Sequence, residues 1–248
     1  MTITLDSHYT IGQLHLFCQD YVCHGRKPYP HVILADGCSA EPDSDLGARL
    51  LVLNARRLLP RFVAAATDEA GRHACHWRLG RRIVRRAARQ ARELGADSAL
   101  DATLLIAWCD GTTVYVHLYG DGCLAARRAD GGVVAIQVEY AGNAPYYLSY
   151  LLDRERLALY RVVAGNPLAA QSVSYVDETG TTTRLERFDA PPRVQLLLGR
   201  LPDGGGGHRR SAVVCQRKYQ RTVERAGCDA GDAGVRPVAR SFRPAPVA

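Results

Sequence analysis

Three short stretches hold the residues with the most chemical potential. They are His15-Leu16-Phe17-Cys18-Gln19-Asp20-Tyr21, Leu34-Ala35-Asp36-Gly37-Cys38-Ser39 and Tyr119-Gly120-Asp121-Gly122. The second and third put an Asp at or just after the end of an apolar run, which is how a buried strand delivers a carboxylate to its end. Carboxylates gathered at strand ends are what a hard divalent cation such as Mg2+ or Mn2+ needs, with water completing the shell. Glycine beside the Asp lets a backbone carbonyl approach such an ion. Asp-Gly is also a strong turn dipeptide, and Asp110-Gly111 and Asp130-Gly131 read as turns. On the residues alone, Asp36 stays open between turn and ligand, and a hairpin turn accounts well for Gly120-Asp121-Gly122.

The elements that must position these residues follow from apolar periodicity. Residues 11–18, IGQLHLFC, read as a first strand, and residues 31–35, HVILA, as a second that ends at Asp36-Gly37. Ser44 or Asp45 can cap a helix from about Leu46 to Leu59, with Pro60 limiting its continuation. A second helix is expected from about Trp77 to Leu94, with Leu79, Ile83, Ala87 and Ala91 on one face and seven arginines around the rest. The arginines read as a solvated face. The period then shortens to strands: DATLLIAWC and TTVYVHLYG around Asp110-Gly111, CLAARR and GVVAIQVEY, AQSVSYV and TTTRLERF around 177–180, and RVQLLLG at 193–199. Strands, two helices and then many strands indicate an α+β sandwich rather than alternating βα units.

The chain has 248 residues and a formal charge of +7, unevenly placed. From Arg200 onward ten Lys/Arg face four Asp/Glu, so the tail carries +6 and residues 1–199 only +1. The body is nearly neutral, and nucleic acid is not an expected partner. No apolar stretch approaches the roughly 20 residues that span a bilayer, and MTITLDSHYT has no signal-like pattern, so the expected compartment is the cytoplasm. Eight cysteines without a CxxC pair read as reduced thiols, and His73, Cys75 and His76 match no zinc spacing. After Gly199 the apolar period ends. Residues 200–248 read as a basic, Gly/Arg-rich, disordered tail. A genuine extension would look like this, and so would a shifted reading frame in a GC-rich gene.

In order and context, the three stretches resemble the type-2C, metal-dependent protein phosphatases. The shared series is His15…Gln19-Asp20, Asp36-Gly37, the two helices, Asp101-Ala102-Thr103 and Gly120-Asp121, over roughly residues 10–199. The resemblance implies a four-layer α-β-β-α sandwich of two antiparallel sheets flanked by helices, with residues 1–199 as the phosphatase-like domain. It implies two Mg2+ or Mn2+ ions, with a weaker third. Asp36 would bridge two ions, Gly37 would offer its carbonyl, Asp20 would hold a metal-bound water, and Asp121 would lie near the third ion. The implied activity is hydrolysis of phosphoserine or phosphothreonine esters in a phosphorylated protein by a metal-bound hydroxide.

Several positions depart from the family pattern. His15 stands where the family usually has a phosphate-binding Arg, and imidazole has no bidentate fork. Cys38 stands where a His often serves as general acid. His15 and Cys38 are therefore the candidate catalytic residues in altered form. The family's C-terminal ligands have only Asp203, Asp229 and Asp232 as stand-ins, and none follows a credible strand. The alternative reading is a catalytically impaired relative that binds a phosphoprotein or another partner.

Overall fold

On the second strand of the chain, side chains alternate between two cores. Ile33 and Ala35 enter a core beneath the helices, and Leu34 faces a second core between two sheets. The computed structural model describes residues 5–11, 16–65, 69–111, 113–127, 131–191, 195–197 and 212–215. Its first sheet is antiparallel, in the order β1 (Asp20–Gly25), β2 (His31–Asp36), β3 (Leu104–Cys109), β4 (Thr113–Tyr119) and β9 (Gln195–Leu197). The second runs β10 (Ala212–Cys215), β5 (Gly122–Arg127), β6 (Val133–Tyr140), β7 (Gln171–Asp177) and β8 (Gly180–Glu186). The fold is the expected α+β sandwich of two antiparallel sheets with helices.

Two long helices, α1 (Ser44–Ala65) and α2 (Glu69–Glu93), pack on each other, and α1 lies along the first sheet. Leu51, Val52, Leu79, Ile83 and Ala87 are fully buried there against Leu104 and Ile106. Between the sheets, Leu105, Ala107, Val116 and Leu118 meet Leu124, Val138 and Val173. The short helix α3 (Arg154–Val163) is capped by the Asp153 carboxylate, which accepts from the Glu155 and Arg156 amides at 2.8 and 3.1 Å. It packs on the 3-10 turn Leu148–Leu151 beside Tyr146, Tyr160 and Phe188.

Three expectations change. Among the described residues the first strand is Asp20–Gly25; Ile11 and Leu16–Cys18, the described members of the expected strand 11–18, lie in no strand. Asp20 therefore opens a strand. Pro60 lies inside α1 rather than ending it. The lost backbone bond is offset by burial on both sides, at Leu58, Leu59 and Phe62. In the tail, Ala212–Cys215 pairs with β5 in register Ala212↔Ala126 to Cys215↔Cys123, an exception to a tail without structure. All described residues belong to the unit Met1–Lys218.

One partly buried polar contact gives a pH dependence. His117 on β4 places Nδ1 3.3 Å from Nδ1 of His76 on α2, and His76 stacks on Tyr119 at 4.2 Å. Burial lowers the His117 pKa from 6.5 to about 4. The unfolded chain thus binds a proton below pH 6.5 that the folded chain refuses until about pH 4. Stability is full above 6.5 and falls as pH drops toward 4, by about 3 kcal/mol from this group. Thermal melts from pH 8 to 4 should show this decline, and His117→Gln should flatten it. An unchanged slope in that variant would remove the cause.

Candidate active site at the strand ends

The Asp20–Asp36 pair follows from strand register. β1 pairs with β2 in a ladder that sets Asp20 opposite Asp36, Val22 opposite Leu34 and Cys23 opposite Ile33. Cross-strand partners point to the same face with Cβ atoms about 5 Å apart. By alternation from Leu34, that face looks toward the second sheet. Asp20 Oδ1 is buried with no hydrogen-bond partner. Two like charges held side by side, one with a buried and unsatisfied oxygen, are costly unless a cation joins them.

The next strands continue the same edge. Thr103 donates its amide to the Asp36 carbonyl at 2.9 Å, and its Oγ1 accepts the Asp36 amide at 3.3 Å. Gly37 bridges to Ala102, gives its amide to the Gln19 carbonyl at 3.1 Å, and has no room for a side chain. A Cβ there would lie 2.6 Å from the Ser44 carbonyl oxygen. Ser44 also accepts from the Gln19 side-chain amide at 2.9 Å, tying the start of α1 to the residue before Asp20.

Asp121 lies at this end of the first sheet, in the turn from β4 to β5. Along the first sheet, β3 lies between β2, which ends at Asp36, and β4, which leads to Asp121. Among the described residues no three His, Cys, Asp or Glu side chains are grouped to hold a metal ion. Burial raises the Asp121 pKa, with Glu139 adding to the rise against its own backbone hydrogen bond. His15, Asp203, Asp229 and Asp232 lie outside the described residues.

The Asp20–Asp36 pair suits a Mg2+-like ion. Such ions are commonly bound by one or two carboxylates, keep several waters and take substrate phosphate oxygens. Asp20, Asp36 and the Gly37 carbonyl are a donor set of that kind.

Beside the pair is a polar network that residue types alone did not reveal. The Cys38 amide donates to the Asp101 carbonyl at 2.8 Å. The Asp101 side chain, 7 % exposed, accepts from Ser149 Oγ at 2.6 Å and from Arg156 Nη2 at 2.7 Å. Arg156 remains 40 % exposed and lies over the Tyr150 ring at 5.0 Å. Burial and Asp101 push the Tyr150 pKa up to about 12, with Arg156 opposing. Burial first, then Asp101, raises Glu41. Cys38 is a free, half-buried thiol hydrogen-bonded with Tyr147, whose phenol burial and Cys38 hold well above its usual pKa. The only sequence signal was Asp101, an acid just before a buried strand; its partners lie 48 and 55 residues away.

A sequence model of the family described as Protein phosphatase 2C matches residues 6–155. That is more than half of the chain, from before β1 through β6 and the Leu148–Leu151 turn. The fold and the ordered motifs agree with it. The chain belongs to the protein phosphatase 2C family. No curated protein matches it.

Proposed function

We propose that this chain is a hydrolase for phosphoserine and phosphothreonine esters in proteins, dependent on Mg2+ or Mn2+ held at the Asp20–Asp36 end of the first sheet. The observation that carries this is the register pairing of Asp20 with Asp36, with Asp20 Oδ1 buried and unsatisfied. Asp20, Asp36 and the Gly37 carbonyl would hold the cations. Bound divalent ions would supply positive charge to acidify water and neutralise phosphoryl oxygens. The tail carboxylates Asp203, Asp229 and Asp232 are not required for weak binding of this kind, and Asp121 would lie near a third, weaker ion.

The other roles fall to the chain itself. Arg156 would orient the substrate phosphate, because its guanidinium is partly exposed and held by Asp101. That would supply the fork that an imidazole at position 15 lacks. Tyr147 keeps its proton and, with Cys38, would donate a hydrogen bond toward the departing hydroxyl. Free thiols at Cys18, Cys23, Cys38, Cys75 and Cys109 support a reducing cytoplasm as the location. Among the described residues no helix is long and apolar enough to cross a membrane. The thiol at position 38, in place of the family's frequent His, favours a second reading: phosphoprotein binding with little turnover.

The test is hydrolysis of a phosphothreonine peptide and of p-nitrophenyl phosphate with Mn2+ and with EDTA. Metal-dependent turnover is expected. Binding of the peptide without turnover would select the second reading, and neither binding nor turnover would reject both. Arg156→Met should raise the inhibition constant for inorganic phosphate by about tenfold, or weaken phosphate binding equally if turnover is absent. Unchanged phosphate affinity would free Arg156 from that role.

A further inference from the structure

The helical layer carries a charge out of proportion to the chain. Eight arginines against two glutamates on α2, and four arginines against one aspartate on α1, leave these two helices at +9. The whole chain is +7, and residues 1–199 together are only +1, so the rest of that body is −8. A nearly neutral body is therefore divided, with the positive charge collected on the helices and an acidic remainder.

The arginines are exposed and few are matched. Arg78, Arg81, Arg82, Arg85, Arg89 and Arg92 all face solvent along α2, and four more do so on α1. Among the described residues they make one ion pair, Arg92 with Asp97 at 3.6 Å, in which both side chains are largely exposed. Such a pair contributes little. The α2 stripe from Arg78 to Arg92 is about 21 Å long at 1.5 Å per residue, with an arginine at nearly every turn. Concentrating like charge in this way costs self-repulsion that an interspersed surface avoids.

We propose that the outer face of α1 and α2 binds the phosphate backbone of a nucleic-acid duplex, without reading its sequence. A long, evenly charged stripe complements a linear polyanion with one charge per about 1.7 Å. Guanidinium groups suit phosphate oxygens. An anionic membrane fits less well, since among the described residues the large apolar side chains exposed at this layer are only Leu53 on α1 and Leu94 just past α2. Single strands fit less well too, because no aromatic ring is exposed there among the described residues to stack on bases. The face is separate from the Asp20–Asp36 pair, and the inference does not depend on hydrolysis.

The experiment uses the full chain and fluorescence anisotropy with a 20-base-pair duplex of arbitrary sequence, from 50 to 300 mM salt. Binding is expected to weaken steeply with salt. The triple variant Arg81→Gln, Arg85→Gln, Arg89→Gln should lose at least tenfold affinity at 100 mM salt. Its log–log salt slope should fall by about 2.7, at 0.9 per phosphate contact. These positions are exposed and their mutual repulsion is relieved, so circular dichroism should be unchanged and melting should be no lower. A second triple variant in the tail, Arg209→Gln, Arg210→Gln, Arg217→Gln, should retain the larger part of the binding. Loss in the tail variant alone would overturn the proposal, as would failure to bind duplex at 50 mM salt. Tighter binding to phosphatidylserine vesicles or to poly-glutamate than to duplex would overturn it in favour of a membrane or an acidic protein.

Discussion

Asp36→Asn is expected to abolish metal-dependent phosphatase activity, by at least 100-fold, while leaving the metal-free protein slightly more stable. The two effects share one cause. Asp36 and Asp20 are ladder partners, so their carboxylates project side by side from one face. Like charges directly opposite each other on a sheet destabilise it by several tenths to about 1 kcal/mol. Replacing one carboxylate by its isosteric amide removes the repulsion and keeps the size. The same replacement removes the charge that two cations would share. Ordinary structural aspartates show the opposite stability sign, because their loss breaks a favourable contact. Melting in EDTA and in Mn2+ therefore tests the role without relying on turnover. The native chain should gain melting temperature from Mn2+, and Asp36→Asn should gain little. Asp20→Asn should behave similarly, since Asp20 Oδ1 is buried without a partner. A variant that melts lower in EDTA yet keeps its Mn2+ response would show that the pair is structural.

Local pattern made much of this architecture legible. The β3–β4 and β7–β8 hairpins lie where Asp110-Gly111 and residues 177–180 predict them, since turn chemistry and alternation act over a few residues. The second long helix is visible in the spacing of Leu79, Ile83 and Ala87, although it starts at Glu69, before the expected Trp77, and α1 runs on past Pro60 to Ala65. The misplaced first strand shows the limit. IGQLHLFC is the more apolar stretch, but DYVCHG forms the ladder because Tyr21 and Cys23 can pack on the helix core while Asp20 and Val22 face the other way. Propensity ranked the wrong segment, and tertiary packing decided. The site shows the same division. Asp20 and Asp36 are readable as strand-end acids, whereas their distance from Asp121 depends on strand order. The link from Asp101 to Ser149 and Arg156 joins residues about fifty positions apart and has no local signature.

Gly47→Ala should be among the most damaging single substitutions in the chain, although helix propensity argues the reverse. Gly47 lies in the first turn of α1, where its amide bonds to the Asp43 carbonyl at 3.0 Å. In an isolated helix, alanine would be better than glycine by about 1 kcal/mol. Here a Cβ would overlap the Ala99 carbonyl oxygen and lie 3.2 Å from the Leu100 amide nitrogen. Both obstacles are backbone, so no rotamer change can relieve them. Either α1 or the segment before β3 must move. That segment carries the Asp101 carbonyl that holds Cys38, and Thr103, which holds Asp36. The strain would therefore reach the candidate site as well as the core. Overpacking in buried positions costs about 1–3 kcal/mol and more when backbone must shift. A loss of about 3–5 kcal/mol corresponds to roughly 10–15 °C in a domain of this size. Gly95→Ala is the matched control. Gly95 follows α2 at φ +71° with nothing within 4 Å of a built Cβ, so only the left-handed conformation resists the change, at about 1 kcal/mol. If Gly47→Ala melts within a few degrees of Gly95→Ala, the close approach of α1 to the Ala99–Leu100 backbone does not exist in solution. The sharp entry of α1 beside Asp36 would then need another cause.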